Sequence, residues 1–350
     1  MTGVGVIGAG AWGTALAQLL ASDGNHAVRL WARSPGLAQE INQTRANLRY
    51  LPGVALHPGV VATNDLGELA GLGVLLLVTP AQAAGAVLTQ LPDFAGDLVL
   101  CAKGIEAGSG RLMVDVARQA HPRAQIAVLS GPTFAHEVAA GLPTAATLAC
   151  SGGQDQWQRL APLLARPAFR PYFSQDVIGA EIGGAVKNVL AVACGVVEGL
   201  GLGQNARAAL ISRGYAEMVR FGLACGADAE TLTGLSGLGD LVLTCNSPGS
   251  RNFALGMALG QGASAAAVLA ECHTVAEGAH TAPVLADLAR ARGIAMPIGD
   301  AVAALVSGTV PVMAVAEALL ARPLRSELDQ ATMRTVTGRQ TDMMGEPGLG

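Results

Sequence analysis

The chain has 350 residues, of which 51% are apolar, 14% charged and only 3% aromatic. That length accommodates two domains of ordinary size, with cores built from Ala, Val, Leu and Ile. A formal charge of −4 provides no broad basic field, which argues against a nucleic-acid partner.

The chain opens on an apolar run, Val4 to Ile7, that leads directly into Gly8-Ala9-Gly10-Ala11-Trp12-Gly13 and a helix-forming stretch from Ala15 to Ala21. A strand, G-x-G-x-x-G and a helix in that order predict a dinucleotide-binding turn. Gly8 permits the bend, Gly10 lets the backbone approach a pyrophosphate, and Gly13 lets helix and strand pack closely. The helix N-terminus adds free N–H groups and partial positive charge for the phosphates. A turn at Asp23-Gly24-Asn25 precedes a second strand over His26 to Ala32. Val74 to Val78, Leu98 to Ala102 and Ile126 to Leu129 are continuous apolar runs, as expected of parallel strands buried on both faces. Residues 1–178 thus read as an α/β Rossmann-type doubly wound sheet. Ligands bind beyond the carboxyl ends of such strands, where Thr79-Pro80, Lys103-Gly104 and Ser130 to Thr133 stand.

From Gly179 the spacing becomes helical, through Val186, Val189, Leu190, Ala193 and Val197, and residues 179–330 read as an all-α domain. Further helices are expected from Asp228 to Thr233 and from Ser250 onward, with a glycine-rich stretch up to Asp240 between them. The apolar run Ala301 to Leu320 is split by Ser307-Gly308-Thr309 and Pro311 and contains Glu317. It predicts two short buried helices rather than a membrane span. Residues 331–350 lose periodicity and read as a flexible tail.

Strand two ends at Leu30-Trp31-Ala32-Arg33-Ser34, with no acid to hold a ribose 2′-hydroxyl. A guanidinium at Arg33 suits the 2′-phosphate of NADP, so NADP is favoured and NAD stays open. Cysteines 101, 150, 194, 225, 245 and 272 form no C-x-x-C pair, which fits thiols in a reducing cytoplasm. A signal peptide is not expected, because the first strand begins at once.

Several phrases in order carry a resemblance: Gly8 to Leu16, Leu30 to Arg33, Ala102 to Glu106, Ser130 to Ala135, Lys187 to Val189, Arg213-Gly214, Gly237 to Leu241 and Ser250 to Asn252. Over residues 1 to about 325 the chain is similar to the bacterial NAD(P)-dependent glycerol-3-phosphate dehydrogenase family. The resemblance implies reversible reduction of dihydroxyacetone phosphate to sn-glycerol 3-phosphate, a step toward glycerophospholipids. It makes Lys187 the proton donor and acceptor. Hydride delivery to a ketone creates an alkoxide that needs a proton, and a lysine desolvated on an apolar helix has its pKa lowered toward useful values. Glu181, six residues earlier, is not placed to be its i, i+4 partner.

Lys103 would share the substrate with Lys187 and also contact the cofactor, while Asp240 would bind a hydroxyl or orient Lys187. Gly131, Thr133, Asn188 and Thr244 join the substrate group. Ser250 as an N-cap, with Arg251 and Asn252, makes a compact phosphate site. The family further implies cofactor contacts from Trp12, Ala135, Arg251, Val275 and Glu277. This chain departs from the family pattern at Ala11 (usually Ser), His136 (usually Lys) and Gln204 (usually Asp).

Cys272, His273, Glu277 and His280 could be drawn as a metal cluster, but the chemistry calls for no metal, since lysine supplies the charge. Two alternatives compete: another two-domain dehydrogenase of the β-hydroxyacid or ketopantoate reductase type, and an NADP-sensing protein without turnover. The Ser250-Arg251-Asn252 phosphate site argues against the first, and the presence of both Lys103 and Lys187 against the second. Oligomeric state is not readable from these residues, and a homodimer is left open.

Overall fold

In the computed structural model, which describes residues 3–271 and 276–321, the opening run is strand β1 (Val4–Ile7), buried at every position. Helix α1 (Ala11–Ala21) begins at Ala11 rather than Ala15, because the glycine motif itself forms its first turn, with Gly10 as the N-cap. There follow β2 (Val28–Trp31), α2 (Pro35–Thr44), β3 (Val60–Thr63), β4 (Val74–Leu77) and α3 (Ala81–Gln90). Next come β5 (Asp97–Leu100), α4 (Met113–Ala120), β6 (Gln125–Ser130), α5 (Ala135–Ala139), β7 (Thr144–Cys150), α6 (Gly153–Leu164) and β8 (Phe169–Ser174).

The eight strands form one sheet in the order β3-β2-β1-β4-β5-β6-β7-β8. Strands β1 to β6 run parallel, β7 pairs antiparallel with β6, and β8 runs parallel to β7. Strand order therefore reverses between β1 and β4, and the crevice beyond their carboxyl ends is where a dinucleotide binds in such sheets. Alternating side chains fill two cores. Val4, Val6, Val28 and Leu30 face α1, whereas Ile7, Leu75, Leu77 and Leu100 face the layer of α3 and α4.

From Val177 every described element is helical: α7 (Val177–Gly199), α8 (Gly203–Ala224), α9 (Ala229–Thr233), a π-helical turn (Leu235–Gly239) and α10 (Asp240–Cys245). Beyond them lie α11 (Arg251–Gly260), α12 (Ala265–Glu271), α13 (Glu277–Ala291), α14 (Pro297–Val306) and α15 (Val312–Leu320). Among the described residues α7 is the one helix long and apolar enough to cross a membrane, but 94% of that stretch is buried inside the protein. It is the axle of the helical half. The run Ala301 to Leu320 does divide into two helices. Contrary to expectation the second is not buried: α15 covers Val315 but leaves Met313 53% exposed. The expected tail, 331–350, lies outside the described residues.

Helices α7 and α11 touch backbone to backbone. A Cβ on Gly195 would stand 2.0 Å from the Phe253 carbonyl oxygen, and one on Gly256 would stand 1.9 Å from that of Val192. Gly199 and Gly260 repeat the contact one turn along, at 2.3 Å and 2.6 Å from the Met257 and Val196 oxygens. Only glycine allows this approach.

Two buried glutamates cap helices in other parts of the chain. Helix α4 has no side-chain cap of its own, and Glu181 of α7 accepts from the Val114 N–H at 3.0 Å and 3.2 Å. Glu217 of α8 accepts from the Ile298 and Gly299 N–H groups at the start of α14. Glu181 thus has its own partner, away from Lys187. Burial pushes its carboxyl up to about 8. The unfolded chain releases that proton at about 4.3, so folding holds a proton that unfolding releases. This contribution to stability is complete below the unfolded value and is lost as pH rises through about 8. Glu181→Gln, which keeps the acceptor, is expected to flatten the decline in Tm between pH 5 and 8 by a few degrees. Parallel melting curves for variant and parent would refute the assignment.

Candidate active site

The glycine turn is built for a ligand with negative charge. Gly8 has φ +120°, and a Cβ there would stand 2.9 Å from the Val78 carbonyl oxygen; one on Gly13 would stand 1.8 Å from that of Gly8. A Cβ on Gly10 would meet nothing within 4 Å, so this face of the turn is open. No side chain caps α1, so the N–H groups of its first turn are left without a side-chain acceptor. The Trp12 Nε1 beside them is buried without a partner. Free donors, an open backbone face and an orphaned indole N–H fit a dinucleotide pyrophosphate.

Arg33 is exposed just beyond β2, followed by Ser34, which caps α2 by accepting from the Leu37 N–H. Ala135 begins α5 and is half-buried. Glu277 begins α13 and reaches across to the sheet half, where its Oε1 accepts from the Ala81 N–H at 3.1 Å. Its Oε2 is buried without a partner, and burial pushes the carboxyl up to about 7. Val275 lies outside the described residues, as do Cys272 and His273 of the metal grouping.

At the other end of the crevice one carboxylate holds two lysines. Lys187, on α7 and 7% exposed, donates to Asp240 Oδ1 at 2.5 Å and Thr244 Oγ1 at 2.9 Å. Lys103, beyond β5, donates to Asp240 Oδ2 at 2.7 Å and the Gly131 carbonyl at 3.0 Å. Asp240 is fully buried. Burial pulls the Lys187 amine down to about 8; Asp240 resists this shift and the charge of Lys103 adds to it.

A glycine pair in α7 brings these groups together. A Cβ on Gly183 would stand 2.4 Å from the Ser236 carbonyl oxygen, so the π-helical turn lies directly on α7 and delivers Asp240 to Lys187. On the neighbouring side, a Cβ on Gly184 would stand 3.2 Å from Cγ of Lys103, which is how that side chain passes α7. π-Helical turns often mark functional sites.

Asn188 and Asn252 bind each other and the frame around them. Asn188 donates to the Lys103 carbonyl at 3.1 Å, Asn252 donates to Asn188 at 2.9 Å, and Asn252 accepts from the Gly278 N–H at 2.9 Å. Ser250 caps α11, accepting from the Phe253 N–H at 3.3 Å, and exposed Arg251 is the first helical residue. Thr133 donates to the Gly131 carbonyl at 3.2 Å. Of the residues grouped from the sequence, Lys103, Gly131, Thr133, Asn188, Asp240, Thr244 and Asn252 thus share one hydrogen-bonded network with Lys187, and Ser250 and Arg251 stand at the adjoining start of α11.

The sequence reading placed Ser130 at a ligand-facing strand end without giving it a role, and it missed Asn47 and Thr281 as members of the site's surroundings. Ser130 Oγ and Thr281 Oγ1 are buried without partners, the first beside Gly184 and the second beside Gly104. Ser130 stood at a strand end, which was a usable signal; Asn47 and Thr281 carried none.

Family models match both halves of the chain: the NAD-dependent glycerol-3-phosphate dehydrogenase N-terminus over residues 3–156 and the corresponding C-terminus over 176–317. Glycerol-3-phosphate dehydrogenase (NAD(P)+) of Novosphingobium aromaticivorans is 67% identical over 93% of this chain and 98% of its own length. The chain belongs to the NAD-dependent glycerol-3-phosphate dehydrogenase family.

A solved glycerol-3-phosphate dehydrogenase from Coxiella burnetii superposes with a TM-score of 0.86 at 38% identity, covering 91% of this chain and 99% of that one. A ketopantoate reductase from Ralstonia eutropha shares the fold alone, with TM-score 0.56, 20% identity, and 87% and 97% of the two chains covered.

The three departures from the glycerol-3-phosphate dehydrogenase pattern lie apart from the Lys187–Asp240–Lys103 grouping. Ala11 is the first, half-buried residue of α1. His136 is largely exposed and stacks on Phe134 with ring centroids 5.8 Å apart. Gln204 accepts a hydrogen bond from Arg207 on the exposed start of α8. None of them touches Lys187, Lys103 or Asp240.

Proposed function

We propose that this chain interconverts dihydroxyacetone phosphate and sn-glycerol 3-phosphate with a nicotinamide cofactor. The observation that carries the reading is the buried Lys187–Asp240–Lys103 grouping beside the Ser250-Arg251-Asn252 helix start. When bound, the nicotinamide supplies or accepts the hydride. Lys187 is suited to hold the proton that moves to and from the substrate oxygen, because its amine is pulled down to about 8 and both charge states are accessible near neutral pH. Lys103 adds positive charge beside the same oxygen. Asp240 aligns both amines, and Thr244 fixes the Lys187 rotamer.

The phosphate suits the start of α11, which offers the N–H groups of its first turn and the charge of Arg251, its first helical residue. A substrate bearing only a carboxylate needs no such site, which favours this reading over the ketopantoate reductase type. NADP is the favoured cofactor, since Arg33 follows β2 and no acid stands at its tip. A cytoplasmic location suits the thiols, five of which are free among the described residues.

The deciding measurement is oxidation of NADPH or NADH by the purified protein with dihydroxyacetone phosphate. Folded protein that oxidises neither cofactor would refute the assignment. Arg251→Ala is expected to raise KM for dihydroxyacetone phosphate by about tenfold to a hundredfold, the scale of a lost charge-assisted hydrogen bond. An unchanged KM would move the phosphate site elsewhere.

A further inference from the structure

Asn47 lies in the connection between α2 and β3, far in sequence from any motif, yet its side chain is fully buried against the glycine turn. Its Nδ2 donates to the Ala9 carbonyl at 2.9 Å and to Thr14 Oγ1 at 2.8 Å. Its Oδ1 accepts from the Tyr50 N–H at 3.2 Å, which sets which end of the amide faces inward. The Asn47 carbonyl also accepts from the Leu51 N–H, so a tight turn of backbone holds the residue in place.

One amide therefore ties down both flanks of the glycine turn: Ala9 between the first two glycines, and Thr14 just after the third. The consequence follows from peptide geometry. In a trans peptide the carbonyl and the N–H of the same unit point in opposite directions. The Ala9 carbonyl and the Gly10 N–H belong to one unit. With the carbonyl held inward by Asn47, the Gly10 N–H is turned outward. Gly10 donates to no group among the described residues, and its Cα side faces open space. Without that anchor the unit is free to rotate, since glycine on one side imposes little conformational restriction.

We infer that Asn47 is a positioning residue for dinucleotide binding, which locks the Ala9–Gly10 peptide so that the Gly10 N–H faces the cofactor's phosphates. This rests on the cofactor assignment made above. A donor fixed in advance costs less ordering on binding than one that must be recruited.

The test compares wild-type protein with Asn47→Ala and Asn47→Asp. The aspartate keeps the volume and the acceptor toward Tyr50 but removes the donor, so it serves even where the alanine variant fails to fold. Fluorescence titration with NADPH and with NADH is expected to show Kd raised about tenfold in both variants. KM for the cofactor should rise in parallel, KM for dihydroxyacetone phosphate should stay within about twofold, and kcat at saturating cofactor should fall by less than about threefold. Without any cofactor, amide exchange over residues 8–14 should be faster in both variants. A merely structural role would lower Tm and leave Kd unmoved at temperatures where the protein is folded. Folded variants with wild-type Kd and wild-type exchange over 8–14 would overturn the inference. Wild-type protein that bound neither NADPH nor NADH would instead overturn the cofactor assignment, a result visible in the wild-type titration alone.

Discussion

Lys187→Ala is expected to lower kcat for reduction of dihydroxyacetone phosphate by about 10²–10⁴-fold, the range for removing a general acid, with cofactor affinity unchanged. Lys103 does not fill the vacated position, because its Nζ is held by Asp240 Oδ2 and the Gly131 carbonyl, whereas the Lys187 amine sits between Asp240 Oδ1 and Thr244. Arginine should not rescue, since a guanidinium stays charged and has no proton to lend at neutral pH. The variant should fold. Asp240 keeps Lys103 as a partner, and the lost ammonium was itself penalised by burial, as its lowered pKa records. Steady-state rates with cofactor Kd measured alongside check this. Turnover within tenfold of the parent would mean that another group moves the proton.

Asp240→Asn should alter the pH dependence as well as the rate. In the parent, Lys187 is protonated below about 8. kcat/KM for ketone reduction, which needs the acid form, should therefore decline as pH rises through that value, and alcohol oxidation, which needs the neutral amine, should rise. Burial and Lys103 lower the Lys187 pKa, whereas Asp240 raises it most and Cys245 adds to that. With a neutral amide at 240, both lowering influences remain and the main raising one is gone. The alkaline limb for reduction should then move down by about one pH unit or more, with kcat reduced about tenfold to a hundredfold at neutral pH. Stability should fall too, because two ammonium groups lose their shared counter-charge. A limb that stays in place would show that Lys187 is not the titrating acid.

The outline of the fold was legible where physics leaves a local trace. β1, β4, β5 and β6 are buried on both faces and read as unbroken apolar runs. β3, β7 and β8 left no such trace. β3 is a four-residue edge strand, β7 is rich in Ala and Thr, and β8 carries Pro171, which an edge strand tolerates because its outer N–H needs no partner. The capped start of α11 at Ser250 was visible for the same reason as the glycine turn, since a cap is a local event.

Contacts between distant segments were not legible. Nothing around Glu181 indicates that it caps α4, and nothing around Asn47 points to Ala9. The family resemblance already grouped Lys103, Lys187 and Asp240, with Asp240 to bind a hydroxyl or orient Lys187. The sharing of one carboxylate by both lysines depends on the Gly183–Gly184 pair, whose part appears only once the turn before Asp240 is seen lying on α7.

The four glycines between α7 and α11 bear on how this enzyme could be adapted. Because two backbones meet there, the spacing between Lys187 and the Ser250 start of α11, to which the proposed function assigns the proton and the phosphate, is a fixed ruler that no larger residue can lengthen in small steps. A substrate one carbon longer or shorter would have to be met by changes in the loop around Thr133 or in the short helix α10 that carries Thr244. Attempts to retune chain-length preference by mutating the helix seam should yield unfolded protein rather than new specificity.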